Sequence, residues 1–178
     1  MKCGISVETG GQTVKRCKAA AKRDRFDIAL LNIMQHDNQL TTDELADRVG
    51  LSATACQRRL KRLRDEGAIL ADVSLVSPGA IGPNVTVIVL VTLEREQLDL
   101  LEGFKRRISA YHEVTQCYYV TGSVDFVLII NIPTMQAYSE FTERAFFVDK
   151  NVKSFQTLTT MQTVKFTTKV HLPDPSLV

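Results

Sequence analysis

Residues 42–61 read TDELADRVGLSATACQRRLK. Thr42 can cap a helix whose first turn carries Asp43 and Glu44, acids that suit the positive end of a helix dipole. Leu45, Ala46 and Val49 then recur at helical spacing and give that helix one apolar stripe. Gly50 stands where a left-handed residue would end the helix, Leu51 can plug the angle, and Ser52 can cap the next helix. In that second helix Cys56, Leu60 and Leu63 share one side. Two short helices about a glycine turn form a helix-turn-helix.

The opposite side of the second helix presents Thr54, Gln57, Arg58, Lys61 and Arg62. Arg58, Arg59, Lys61, Arg62 and Arg64 are offset only by Asp65 and Glu66 at the far end. Such a face suits a polyanion. The bland reading is a solvated charged face, but two capped helices around a tight turn place the second in a major groove, where Gln pairs with adenine and Arg with guanine. The candidate DNA-contacting residues are therefore the caps Thr42 and Ser52 together with Thr54, Gln57, Arg58, Lys61 and Arg62 on double-stranded DNA.

Outward from this motif, a first helix over residues 24–36 carries Phe26, Ile28, Leu30, Leu31, Ile33 and Met34 and would complete a three-helix core. After Gly67, residues 69–75 read as a strand. The prolines and glycines of SPGAIGPN mark residues 77–84 as a linker. The expected division is a flexible basic arm (1–22), a DNA-binding domain (23–76), the linker (77–84), a second domain (85–166) and a tail (167–178). The arm either touches DNA phosphates or is simply solvated.

The second domain alternates strands and helices: a strand over 85–93, a helix over 97–110, strands over 114–120 and 125–132 around a hairpin at 121–124, a helix over 134–147 and a Thr-rich strand over 152–164. The order βαββαβ is ferredoxin-like, with two helices on one face of an antiparallel sheet. The fold class is α+β. The uncovered sheet face makes a second copy of the chain the expected lid, hence a homodimer.

These residues resemble the Lrp/AsnC, or feast/famine, family of prokaryotic transcription regulators over residues 24–166. The resemblance rests on DRFDIALL (24–31), LADRVGLS (45–52), then Cys56, Arg59, Leu60, Arg62 and Leu63, and Gly67-Ala68-Ile69. In the second half it rests on Val120-Thr121-Gly122 with Asp125, on Pro133 and Tyr138, and on Val164-Lys165. It implies a winged helix-turn-helix joined to an effector-binding domain, in dimers that assemble further, commonly to octamers. It also implies an amino-acid effector held between neighbouring second domains, which by position involves Gly122, Asp125, Met135, Thr157, Thr159 and Thr160. The chain departs from the common pattern in Ser123-Val124 and in threonines where branched apolar residues often stand, so the effector is polar or the site vestigial. Gly122 and Asp125 also fit a bare hairpin, with Gly at positive φ and Asp bonded to the turn.

Other chemistries find little support. His36, His112 and His171 have no nucleophile or carboxylate partner at a recognisable spacing, and no phosphate-binding glycine loop or metal cluster appears, so no enzyme, cofactor or metal is expected. Cys3, Cys17, Cys56 and Cys117 lack zinc-type spacing. No apolar run is long enough to span a membrane, and no signal-peptide core is evident, so a cytoplasmic protein is expected. The rival reading is an amino-acid-sensing protein that controls a partner enzyme, with the basic helix as its docking surface.

Overall fold

The computed structural model describes residues 22–80 and 82–174, plus the backbone of a short ladder pairing Glu8 with Thr13 and Thr9 with Gln12. The rest of the basic arm, with Cys3 and Cys17, lies outside the described residues. The chain divides into two compact units: one runs to Ser74 and takes in the residues from Thr167 onward, the other is Leu75–Phe166.

In the first unit, α1 (Arg25–His36), α2 (Thr42–Val49) and α3 (Ala53–Asp65) enclose Leu30, Leu45, Ala46, Cys56 and Leu60, with Ile33, Met34, Val49, Leu51 and Ile69 packed around them. The cap of α2 is Thr41, not Thr42. Thr41 Oγ1 accepts from Glu44 N, and Glu44 Oε2 accepts from Thr41 N at 2.7 Å, a reciprocal capping box that Thr42, one residue inside the helix, cannot form. Gly50 ends α2 at φ 72°, ψ 40°, the left-handed conformation that a side chain disfavours. Ser52 caps α3 by accepting from Ala55 N at 3.3 Å. The strand expected over residues 69–75 does not form. No partner strand stands beside it among the described residues, and Leu70, Val73 and Leu75 are exposed.

The second unit is built on β1 (Val85–Leu93), followed by α4 (Leu98–Ser109), β2 (Val114–Tyr119), β3 (Phe126–Ile132), α5 (Met135–Thr142, continued by one π-helical turn to Phe147) and β4 (Val152–Thr159). The antiparallel sheet order is β2-β3-β1-β4, the ferredoxin-like arrangement. Alternation along β1 and β3 sends Val87, Val89, Val91, Phe126, Leu128 and Ile130 into one core with Leu101, Phe104 and Ile108 of α4 and Tyr138 and Phe141 of α5. The opposite sheet face carries Ile88, Leu90, Val127 and Ile129, all half-buried, with Tyr118 and Leu158 exposed. The final strand stops at Thr159 rather than 164. Its one partner, β1, begins at Val85, and Thr160 closes the ladder by donating its N–H and hydroxyl to Thr86 O.

Glu113 precedes β2 as a buried carboxylate paired with Arg144. Burial opposes its ionised form, but its own backbone amide, Arg144 and His112 outweigh that and hold the carboxyl below its ordinary value of 4.5.

Thr41→Ala removes the capping box and is expected to destabilise the first unit by about 1 kcal/mol, read as a lower urea midpoint. For Glu113, a depressed folded pKa means that its contribution is complete above the unfolded value and fades as pH falls through the folded one. Wild type should therefore lose more stability than Glu113→Gln when urea midpoints at pH 7 and in acid below about 4 are compared; equal losses would remove Glu113 from the acid response.

Candidate nucleic-acid interface and effector site

Helix α3 divides its cations into two sets. Thr54, Gln57, Arg58 and Lys61 are exposed along one stripe, and none of their side chains makes a hydrogen bond or ion pair among the described residues. Arg59 and Arg62 turn the other way, onto α1. Arg62 Nη2 donates to both oxygens of Asp27 at 2.6 Å. Arg59 Nη1 donates to Asp27 Oδ1 and to Asp24 Oδ2 at 2.8 Å each. Asp27 is only 2% exposed, so its charge depends on these partners. Asp24 also caps α1 by accepting from Asp27 N at 2.9 Å. Desolvation opposes its ionisation, yet the Asp27 amide and Arg59 hold it below the ordinary carboxylate value.

This corrects the reading of Arg62: its guanidinium is an intramolecular clamp rather than a free member of the outward face. The first-unit residues missed at the sequence level are Asp24 and Asp27. Their signal was an i, i+3 pair of acids facing an i, i+3 pair of arginines. Cys56 is buried and packed, with burial pushing its thiol up.

The residues assigned to the effector spread along the sheet, with Gly122 and Asp125 at one end, Met135, Thr159 and Thr160 at the other, and Thr157 between them opposite Val89. Gly122, at φ 145° in the β2–β3 connection, and Asp125 lie near the end of β1, where Asp125 N donates to Val91 O at 2.9 Å. The Asp125 carboxylate reaches past its own turn, its Oδ2 accepting from Leu93 N at 2.6 Å. Thr159 pairs with Val87 at the other end, and Met135 follows β3 after Ile132, the partner of Val85. The four strand steps from Val91 to Val87 place Thr159 about 13 Å along the sheet from the Asp125 end, and Thr157 about half as far. Two of the three threonine hydroxyls are already engaged: Thr157 Oγ1 lies 2.6 Å from Tyr138 Oη, and Thr160 Oγ1 donates to Thr86 O. Burial raises the Tyr138 phenol, partly offset by Thr157. Cys117, on the helix-facing side of edge strand β2, has its thiol pushed up to about 11 by desolvation, so it stays protonated at neutral pH. Among the described residues no cluster could hold a metal ion, and no helix is long and apolar enough to cross a membrane.

Comparison with known proteins matches both units. A winged helix-turn-helix DNA-binding family covers residues 23–69, and an Lrp/AsnC ligand binding domain family covers residues 86–170. The protein is an HTH-type transcriptional regulator with a ligand-binding domain. An uncharacterised HTH-type transcriptional regulator of Sinorhizobium fredii is 54% identical over 148 residues, 83% of this chain and 88% of that protein. The leucine-responsive regulatory protein of Escherichia coli is 32% identical over 142 residues, 80% and 87% of the two chains. A transcriptional regulator of Neisseria meningitidis, solved as an L-Met complex, is 30% identical with a TM-score of 0.79 over 88% of this chain and all of that one. The chain belongs to the Lrp/AsnC family.

Asp27→Asn leaves two arginines facing a weakened acceptor. Stability should fall by on the order of 2 kcal/mol, less than for a fully buried pair because the Arg62 side chain is 46% exposed. Gln57→Ala should change stability, read from the urea transition, by less than about 0.5 kcal/mol. A similar small shift for Asp27→Asn would show that the clamp is not structural.

Proposed function

We propose that this regulator reads double-stranded DNA through Thr54, Gln57, Arg58 and Lys61 of α3, with the Ser52 end of the helix against the phosphate backbone. The observation that carries this is the exposed stripe without internal partners, beside two arginines that Asp27 holds inward. Gln57 and Arg58 have the donor and acceptor patterns for adenine and guanine edges, and Lys61 supplies a phosphate contact. Thr42, inside α2 and half-buried, contributes at most a backbone contact near the phosphates. The family placement favours DNA over the rival partner-enzyme reading.

The effector we propose is an amino acid or a similarly small zwitterion, the class to which the L-Met of the Neisseria structure belongs. A single chain presents two half-sites. One offers the Gly122 backbone and the second oxygen of Asp125; the other offers Met135, Thr159 and the Tyr138–Thr157 hydroxyl pair. A complete site takes both halves from neighbouring copies. The uncovered sheet face, with Ile88, Leu90, Val127, Ile129 and Leu158, supports a homodimer, and pairing of half-sites at its ends supports further assembly such as an octamer. The protein would act in the cytoplasm, where its DNA is. Two helix-turn-helix units of a dimer would enter successive major grooves, and effector binding would bias one assembly state.

The test is binding of the purified protein to DNA upstream of its own gene across a salt series, with and without the twenty amino acids. Gln57→Ala and Arg58→Ala should reduce discrimination against wrong bases by about 1–3 kcal/mol per lost contact. Lys61→Ala should weaken all sequences alike and lower the salt slope by about one. Parent-like binding by all three variants would refute the assigned face.

A further inference from the structure

Past Thr160 the chain leaves the sheet and has no regular secondary structure, with Met161, Val164 and Phe166 exposed. From Thr167 it belongs to the first compact unit, where it meets the C-terminal end of α1. Gln35 holds the backbone of Val170 at two points: Val170 N–H donates to Gln35 Oε1 at 2.6 Å, and Gln35 Nε2 donates to Val170 O at 3.2 Å. Lys169 Nζ lies 2.8 Å from His36 Nδ1 and donates to it when that nitrogen carries its lone pair. Lys169 N donates to Thr167 Oγ1 at 3.1 Å. A glutamine amide sets an N–H donor beside a carbonyl acceptor in one plane, so Gln35 can hold both main-chain groups of one residue whatever side chain it bears.

We propose that the Gln35–His36 end of α1 is a docking surface for a peptide segment, and that its occupant is residues 167–174 of this same chain. The docked segment forms a strap on the DNA-binding unit. Its covalent continuation is β4, which carries Thr157 and Thr159. The helix it grips also carries Asp24 and Asp27, which hold α3 through Arg59 and Arg62. A pull on the strap therefore reaches the recognition helix through ion pairs rather than loose contacts.

The strap is built for release. Its bonds are exposed, so water competes for each, and in the described tail only Leu172 is half-buried. Docked and released forms then differ little in free energy, and a ligand at the Thr159 end of β4 can shift their populations. This coupling rests on the effector reading above; the docking does not.

Hydrogen–deuterium exchange on the full chain, paired with binding to the upstream DNA with and without the amino-acid pool, tests both. In wild type, residues 167–174 should exchange more slowly than an unstructured peptide. Gln35→Ala should abolish that protection without changing protection of α2 and α3, while Gln35→Glu, which keeps the acceptor for Val170 N–H, should retain part of it. The change in DNA affinity produced by the pool, about 5- to 150-fold for ordinary coupling, should fall toward none in Gln35→Ala. Unprotected exchange of 167–174 in wild type overturns the docking. Protection that grows with protein concentration overturns it as a contact within one chain, because a second copy would then supply the tail. Lost protection with an unchanged pool response overturns the strap as a coupling device. A wild-type chain that binds its DNA but ignores the pool counts against the effector reading and the coupling, and the docking is then decided by exchange alone.

Discussion

The ligand-binding unit depends on β1. Val85–Leu93 pairs with β3 along one edge and β4 along the other, so that strand alone joins the two halves of the sheet. Nine residues drawn from Val, Ile, Leu and Thr suit a strand paired on both sides. Its alternation decides everything above and below. Val87, Val89 and Val91 are wholly buried under α4 and α5, while Ile88 and Leu90 point to a face that one chain leaves only half-covered. The same strand that stabilises the monomer thus creates the apolar face that a second copy would cover. Its starting point also limits β4, because a ladder cannot outrun its partner.

In the DNA-binding unit one buried carboxylate has a comparable role. Asp27 is almost fully buried, where an unpaired charge would be costly. Two arginines from α3 satisfy it, and in doing so they fix how α3 lies on α1. This divides the basic residues of the helix into an inner, structural edge and an exposed outer edge, the one proposed above to meet DNA. A basic helix without such a clamp would have more freedom to roll, and base contacts depend on that angle.

Much of this was legible in the residues. The three-helix core, the turn at Gly50 and the βαββαβ order follow from apolar periodicity and turn chemistry, which act locally. The misreadings have physical causes. Thr41 and Thr42 are adjacent candidates for one cap, and only Glu44 at the third position beyond Thr41 distinguishes them. Arg62 lies about 80° around the helix from Thr54 at 100° per residue, on the border of the outward stripe, and its direction is set by Asp27 on another helix. Residues 69–75 have strand composition, but a strand also needs a neighbour to pair with. The spread along the sheet of the residues assigned to the effector was invisible until the register was known, because sequence position does not say which end of an antiparallel sheet a residue occupies.

That spread bears on how the regulator can respond at all. A pocket complete within one chain could bind effector without altering assembly. In the effector reading proposed above, the Gly122 end of one domain would meet the Thr159 end of another, and affinity for the ligand and affinity between copies would then be the same free energy, linked in both directions. Asp125 sharpens this. One of its oxygens is held by the Leu93 amide, so little ordering of that carboxylate would remain to oppose a ligand bound there. On the other side Thr157 is held by Tyr138, which would leave Thr159 and Met135 as the adaptable wall of the proposed site. Specificity would then reside in the Thr159 half, and the common zwitterionic contacts in the Asp125 half.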